Sequence, residues 1–321
     1  MAVNEVLPIK ATLTTDELIN RINTYAEVQT FSADSYFQVI NYFTKDVTKA
    51  DQFPAAIGKL RLKRPENIRV QVTAPVVGKK VADMFSNGEG FKLAVFYPDD
   101  KRSFIYGSNV KEIERMGAEE VMDVKDKDIQ RAGGLVNMRP QHITDAFLIK
   151  PITDRTSVFR EEVRQTEPLP GRKDRLIERS YYVIYVFEKN EQGNSELRRK
   201  FWFDRTQGNA PLVRQQTFEN GNGRLASDIT YSEWHTVAGT NREWFGIAAV
   251  DRRADGYKLV LDMDKETIEL NGDLPETVFQ LENTDHLKEI NMDEPRKTNA
   301  ETVPKAPASQ KQKPNSLMPK H

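Results

Sequence analysis

The stretch that decides the fold class is Lys59-Leu60-Arg61-Leu62-Lys63-Arg64-Pro65-Glu66-Asn67-Ile68-Arg69-Val70-Gln71-Val72. Polar and apolar residues alternate strictly on either side of a turn signal at Arg64-Pro65-Glu66-Asn67. Successive side chains of a strand point to opposite faces, so Leu60 and Leu62 share one face while Lys59, Arg61 and Lys63 share the other. Ile68, Val70 and Val72 repeat the pattern on the next strand. So short a connection joins antiparallel neighbours, because parallel strands need a long crossover. The stretch therefore reads as a hairpin with one apolar and one solvated face.

The same grammar extends in both directions. Upstream, Thr14-Thr15-Asp16-Glu17 carries a helix start with Thr14 as N-cap and Glu17 as its capping-box partner. Leu18, Ile19, Ile22, Tyr25 and Ala26 follow at helical spacing, which predicts an amphipathic helix to about Val28. Tyr36-Phe37-Gln38-Val39-Ile40-Asn41-Tyr42-Phe43 reads as a strand. Downstream, turns at Ser86-Asn87-Gly88-Glu89-Gly90 and Pro98-Asp99-Asp100 bound strands over 91–97 and 102–106. A polar middle segment predicts helices over 111–121, 126–132 and 139–148, the last with Pro140 near its start. Strands resume over 157–165, 179–188, 197–204, 212–219, 224–235, 246–253, 257–261 and 267–270. Asn220-Gly221-Asn222-Gly223 is a strong hairpin turn among them. No long helix separates these strands, which argues against a parallel βαβ sheet.

Composition narrows the function. Across 321 residues, 47 Lys and Arg nearly cancel 48 Asp and Glu, so no global field steers nucleic acid, and no nucleic-acid partner is expected. The absence of cysteine excludes disulfides, thiolate metal sites and a cysteine nucleophile. His142, His235, His286 and His321 show no metal-binding spacing, and neither a nucleophile elbow nor a phosphate-cradling loop occurs. Gly221-Asn222-Gly223-Arg224-Leu225-Ala226 fits a dinucleotide fingerprint in letters only, because it joins two strands and opens no helix. Glu161 and Glu162, adjacent in a strand, face opposite ways and cannot act as an acid/base pair. No catalytic residue, metal or cofactor is therefore expected.

No stretch approaches the roughly 18 apolar residues of a membrane-spanning helix. From about Pro295 the chain turns Pro- and Lys-rich, with almost no large apolar residues, and a disordered basic tail over 295–321 is expected. Residues 1–12 read as an N-terminal extension and 13–294 as the folded domain. A long, curved antiparallel sheet must fill its concave face, and incomplete helical cover would leave a groove suited to acyl chains. The candidate lining is Leu60, Leu62, Ile68, Val70, Val72, Phe91, Leu93 and Val95.

The order of elements resembles the LolA/LolB lipoprotein-carrier superfamily over roughly residues 13–290. The residues that carry the resemblance are the opening hairpin from Leu60 to Arg69, Thr73-Ala74-Pro75, and Ser86-Asn87-Gly88-Glu89-Gly90. Later come Phe201-Trp202-Phe203-Asp204, the Asn222-Gly223 turn, Ile229-Thr230-Tyr231-Ser232-Glu233-Trp234, and Val278-Phe279-Gln280-Leu281 as the closing strand. The resemblance implies a mainly β fold, a curved, incomplete antiparallel barrel with helices covering its concave face. It implies non-catalytic binding and transport of lipoprotein or lipid in the periplasm or at the periplasmic face of the outer membrane, by a monomer whose leader is absent from this sequence. Val76 and Val77 stand where LolB-like members carry a membrane-inserting transfer loop. A sensor or protein-interaction module of the envelope on the same fold is the alternative reading.

Overall fold

In a computed structural model, residues 5–44, 50–74, 78–97, 99, 102–109, 117–123, 137–169 and 171–294 are described. Helix α1 (Thr15–Ala26) starts as its sequence predicts. The Thr14 hydroxyl accepts from the Glu17 amide at 3.3 Å, while the Glu17 carboxylate accepts from the Thr14 amide at 2.7 Å. Leu18 and Ile22, one turn apart, are fully buried.

The strands of the described residues belong to one sheet. They are β1 (Glu5–Val6), β2 (Thr30–Asn41), β3 (Asp51–Gln52), β4 (Ala56–Lys63), β5 (Asn67–Thr73), β6 (Lys80–Ser86), β7 (Gly90–Val95) and β8 (Ser103–Ser108). After the middle segment come β9 (Ser157–Leu169), β10 (Arg172–Lys189), β11 (Ser195–Asp204), β12 (Leu212–Phe218), β13 (Leu225–Thr236), β14 (Glu243–Arg252), β15 (Tyr257–Met263), β16 (Glu269–Leu270) and β17 (Glu289–Asn291).

Strands β4 to β8 form one antiparallel meander and β9 to β15 another. Strand β2 joins them, pairing with β4 on one side and β15 on the other. Among the described residues only β1 on β10 and β17 on β8 run parallel. The sheet curls without closing, an incomplete barrel as expected. Residues ahead of α1 also dock on it, since the amides of Lys10 and Ala11 donate to the Arg205 carbonyl at 2.8 and 3.1 Å.

Short strands β1, β3 and β17 are additions to the sequence reading, and the strand expected over 267–270 is reduced to β16 after a 3-10 turn over Lys265–Thr267. Two further differences bear on the site. Strand β6 is an addition, with no alternation to announce it. Asp83 sits fully buried at its centre, where Arg69 clamps the carboxylate at 2.5 and 2.8 Å and Lys80 approaches to 2.9 Å. The second difference is a correction. Val278-Phe279-Gln280-Leu281 is not the closing strand, because Glu276–Phe279 is a 3-10 turn and the parallel edge pairing is made by β17. Arg69 explains why. Its guanidinium donates to the carbonyls of Val278 and Gln280, which holds this segment flat across the convex face instead of at an edge. Leu281 and Leu287 then cover Ala94 and Phe104 in a small second core.

The main core fills the concave side, where α1 and α3 (Gln141–Phe147) cover β12 to β15 and β2. Phe147 packs between Phe31 and Phe245, with ring centroids 4.9 and 5.3 Å away. The expected helix over 139–148 is thus present, and α2 (Ala118–Asp123) overlaps the one expected over 111–121. The helix expected over 126–132 lies outside the described residues.

After α3 the chain crosses the concavity as an extended crosspiece whose Leu148, Ile149 and Ile152 are buried. Its carbonyls are taken one after another. Arg64, at the β4–β5 turn, donates to Ile149 at 2.8 Å; Arg199, on β11, donates to Lys150 at 2.6 Å and to Pro151 at 3.4 Å. Asn23, on α1, bonds Ile152 through both its amide nitrogen (3.1 Å) and its amide oxygen (2.8 Å). Replacing Arg199 with Leu would strip donors from two carbonyls and from the Glu188 carboxylate, which it meets at 3.0 Å. A loss of about 2 kcal/mol is expected, the scale for losing hydrogen bonds to a charged group, read from urea unfolding midpoints.

Candidate functional site

The concave face of the early meander is ordered in three cross-strand rows, because residues directly opposed in an antiparallel ladder share a face. One row runs Leu62, Ile68, Ser86, Phe91, Gly107; the second Leu60, Val70, Met84, Leu93, Ile105; the third Gly58, Val72, Ala82, Val95, Ser103. All eight residues singled out from the sequence lie in these rows.

Burial divides them. Leu60, Leu62 and Ile68 are fully enclosed and Val70 is nearly so, packed in the main core. Such side chains offer no surface to a ligand. Val72, Phe91, Leu93 and Val95 are half-buried, as are Ala82, Met84 and Ile105 beside them. The accessible apolar surface is therefore a strip across β5 to β8, with the enclosed leucines as its floor at one side. Ala82, Met84 and Ile105 are absent from the sequence reading. The first two sit on the unannounced β6, and Ile105 could have been found by extending the alternation of Leu93 across the next turn. The proposed loop residues Val76 and Val77 lie outside the described residues.

Over β10 to β14 the concave face is uncovered in a different way. There a cavity of about 210 Å³ is lined by Asp145, Lys150, Glu188, Arg198, Arg199, Gln215, Thr217, Phe218, Ala226 and Arg252. Gln215 is committed, its amide nitrogen donating to the Asp145 carbonyl at 3.2 Å and its oxygen accepting from Tyr231 at 3.2 Å. The Asp145 carboxylate has Lys150 at 3.9 Å as its nearest cation. Burial pushes the Asp145 carboxyl above its ordinary value and Glu66 adds to this, against the pull of Lys150, Arg252 and Arg199.

Elsewhere the titratable groups serve the framework. Glu161 accepts from Tyr185 at 2.5 Å, and Glu162 on the opposite face accepts from Arg205 at 2.5 Å and Arg160 at 2.7 Å. The two carboxylates diverge as alternation requires. His142 hydrogen-bonds the buried Tyr257 hydroxyl, and His235 sits on the Glu233 carbonyl at 3.0 Å. Among the described residues no helix is long and apolar enough to cross a membrane.

With this geometry in hand, the chain can be set beside known proteins. Solved structures are similar to it. One is a LolA superfamily protein from Nitrosomonas europaea, 14% identical, which spans 84% of this chain and 99% of that one at a TM-score of 0.42. Another is a DUF1329 family protein from Desulfovibrio piger, 11% identical, over 82% of this chain and 95% of that one at a TM-score of 0.43. No family model matches the chain, and no curated protein matches it in sequence.

The Asp145 environment sets a pH signature. A carboxyl whose folded pKa is raised contributes stability fully below its unfolded value and loses that contribution as pH rises through the folded value. Asp145→Asn, which fixes the uncharged form, should raise the melting temperature at pH 7. The gain should vanish below pH 3.8, the ordinary value of the carboxyl. Thermal melts of both proteins across this range check it.

Proposed function

We propose that the protein binds the acyl chains of a lipid or lipoprotein on the apolar strip of β5 to β8, as a non-catalytic carrier or acceptor in the periplasm. The observation that carries this reading is the half-exposure of Val72, Met84, Phe91, Leu93, Val95 and Ile105 on one concave face. Apolar surface left on the inside of a curled sheet suits an elongated apolar ligand, which gains about 25 cal/mol for each Å² it removes from water. The family resemblance in the sequence points the same way. The Val76-Val77 loop, in this reading, touches the membrane during transfer.

A second reading, an interaction module, has one observation in its favour. Among the described residues β9 pairs only with β10, so its other edge is open along a 13-residue strand that also exposes Phe159 by 58%. Its charges, Arg160, Glu161, Glu162 and Arg164, are those natural edges use against unwanted pairing, and this weakens the second reading.

The test is uptake of a fluorescent fatty acid. Leu93→Glu puts a charge in the middle row, and an affinity loss of about ten- to a hundredfold is expected, the worth of one buried leucine side chain. Phe159→Glu, outside the strip, should bind as the unchanged protein does. Equal binding by both variants would refute the acyl-chain site.

A further inference from the structure

The polar cavity over β10 to β14 is shaped by two register faults. The β10–β11 ladder passes from Val186 opposite Arg199 to Phe187 opposite Leu197, leaving Arg198 as the extra residue. The β12–β13 ladder passes from Thr217 opposite Ser227 to Phe218 opposite Leu225, leaving Ala226 extra. Both extra residues line the cavity. Strict alternation would send Arg198 to the face opposite Arg199. A bulge breaks the alternation and re-aims the side chain, so two neighbouring arginines reach one space.

Their donors are used unequally. Arg199 is spent on the Lys150 and Pro151 carbonyls and on Glu188. Arg252, 6% exposed, donates Nε to Asp255 and Nη1 to Ser227 Oγ at 2.6 Å, and its Nη2 has no acceptor among the described residues. Arg198 meets Glu188 and Glu196 only at 3.8 Å, beyond hydrogen-bond length. Lys150 stands 3.9 Å from Asp145 and 4.0 Å from Glu66. Four cations thus line the cavity against two carboxylates, and one of these, Glu188, is held by Arg199.

We propose that this cavity is an anion site that takes a phosphate or carboxylate group, with Arg198 and the Arg252 Nη2 as hydrogen-bond donors and Lys150 as a point charge. Guanidinium donors fit such planar or tetrahedral oxyanions, and charge-assisted bonds of this kind are the strong ones. A water occupies roughly 30 Å³ of liquid, so about 210 Å³ holds one oxyanion with some of its hydration. The site is independent of the apolar strip. It would serve equally an anion in solution or the headgroup of a lipid.

The experiment is calorimetric titration of the full chain, at fixed ionic strength, with inorganic phosphate and with dihexanoyl phosphatidic acid. Saturable one-to-one binding is expected for at least one of them. Tighter binding of the phospholipid would assign the site to a headgroup, and equal binding would assign it to the free anion. Among the described residues the Arg198 side chain makes no hydrogen bond, so Arg198→Gln should unfold as the parent does, yet bind about tenfold more weakly, the worth of one charged hydrogen bond. Lys150→Gln, at an exposed side chain, should lose less. Leu93→Glu should leave phosphate binding unchanged, which separates this site from the acyl-chain reading. No saturable heat with either probe, or unchanged affinity in both Arg198→Gln and Lys150→Gln, would overturn it.

Discussion

The crosspiece after α3 is held by hydrogen bonds on which the rest of the concave side depends. Among the described residues no strand pairs with 149–152, so their backbone groups need side-chain partners once water is excluded. Arg64 comes from the early meander, Arg199 from the late one and Asn23 from α1, and each supplies those partners. Three elements far apart in sequence are thereby referred to the same four residues. Arginine suits the task because one planar fork satisfies two carbonyls at once, as Arg199 does for Lys150 and Pro151. Arg64 adds a bond to the Val28 carbonyl at 2.8 Å, which ties the end of α1 to the β4–β5 turn.

This arrangement divides the concavity. On the side of β12 to β15 and β2, α1 and α3 press Leu18, Ile22, Ala146 and Phe147 onto the sheet and complete a dry core. Over β5 to β8 the apolar rows continue from that core but lose cover step by step, from enclosed Leu60 through Val70 to half-exposed Leu93 and Ile105. Over β10 to β14 the surface turns polar, and the bulge in β11 brings Arg198 beside Arg199 there. One face thus offers apolar surface and charged surface in separate places.

The convex side follows a different logic over the early meander. There Arg69 links Asp83 to the carbonyls of Val278 and Gln280, so one guanidinium both neutralises a buried carboxylate and lays down the C-terminal segment. The Asp83 carboxyl is held below its ordinary value by Arg69, Lys80 and Gln71 against the cost of burial. Leu281 and Leu287 can then shield Ala94 and Phe104, and β17 occupies the outer edge of β8.

Strict alternation from Lys59 to Val72, the turn signals and the capping box at Thr14 determined by themselves that this chain is a helix followed by an antiparallel meander, and which residues share the concave face. These signals are local, because strand geometry fixes facing every second residue and a cap is settled within four. Strand β6 escaped because both its faces carry apolar residues, half-buried Ala82 and Met84 toward the concavity and Val81 and Phe85 beside buried Asp83 on the other side, so no polar alternation marks it. Only the tertiary structure decided which of the eight apolar residues are enclosed and which stay accessible, since that depends on where α1, α3 and the crosspiece come to rest. The same holds for the cation-lined cavity. Its members come from positions as distant as Asp145 and Arg252, and the bulge that turns Arg198 inward is a mismatch between two strands that neither strand carries alone.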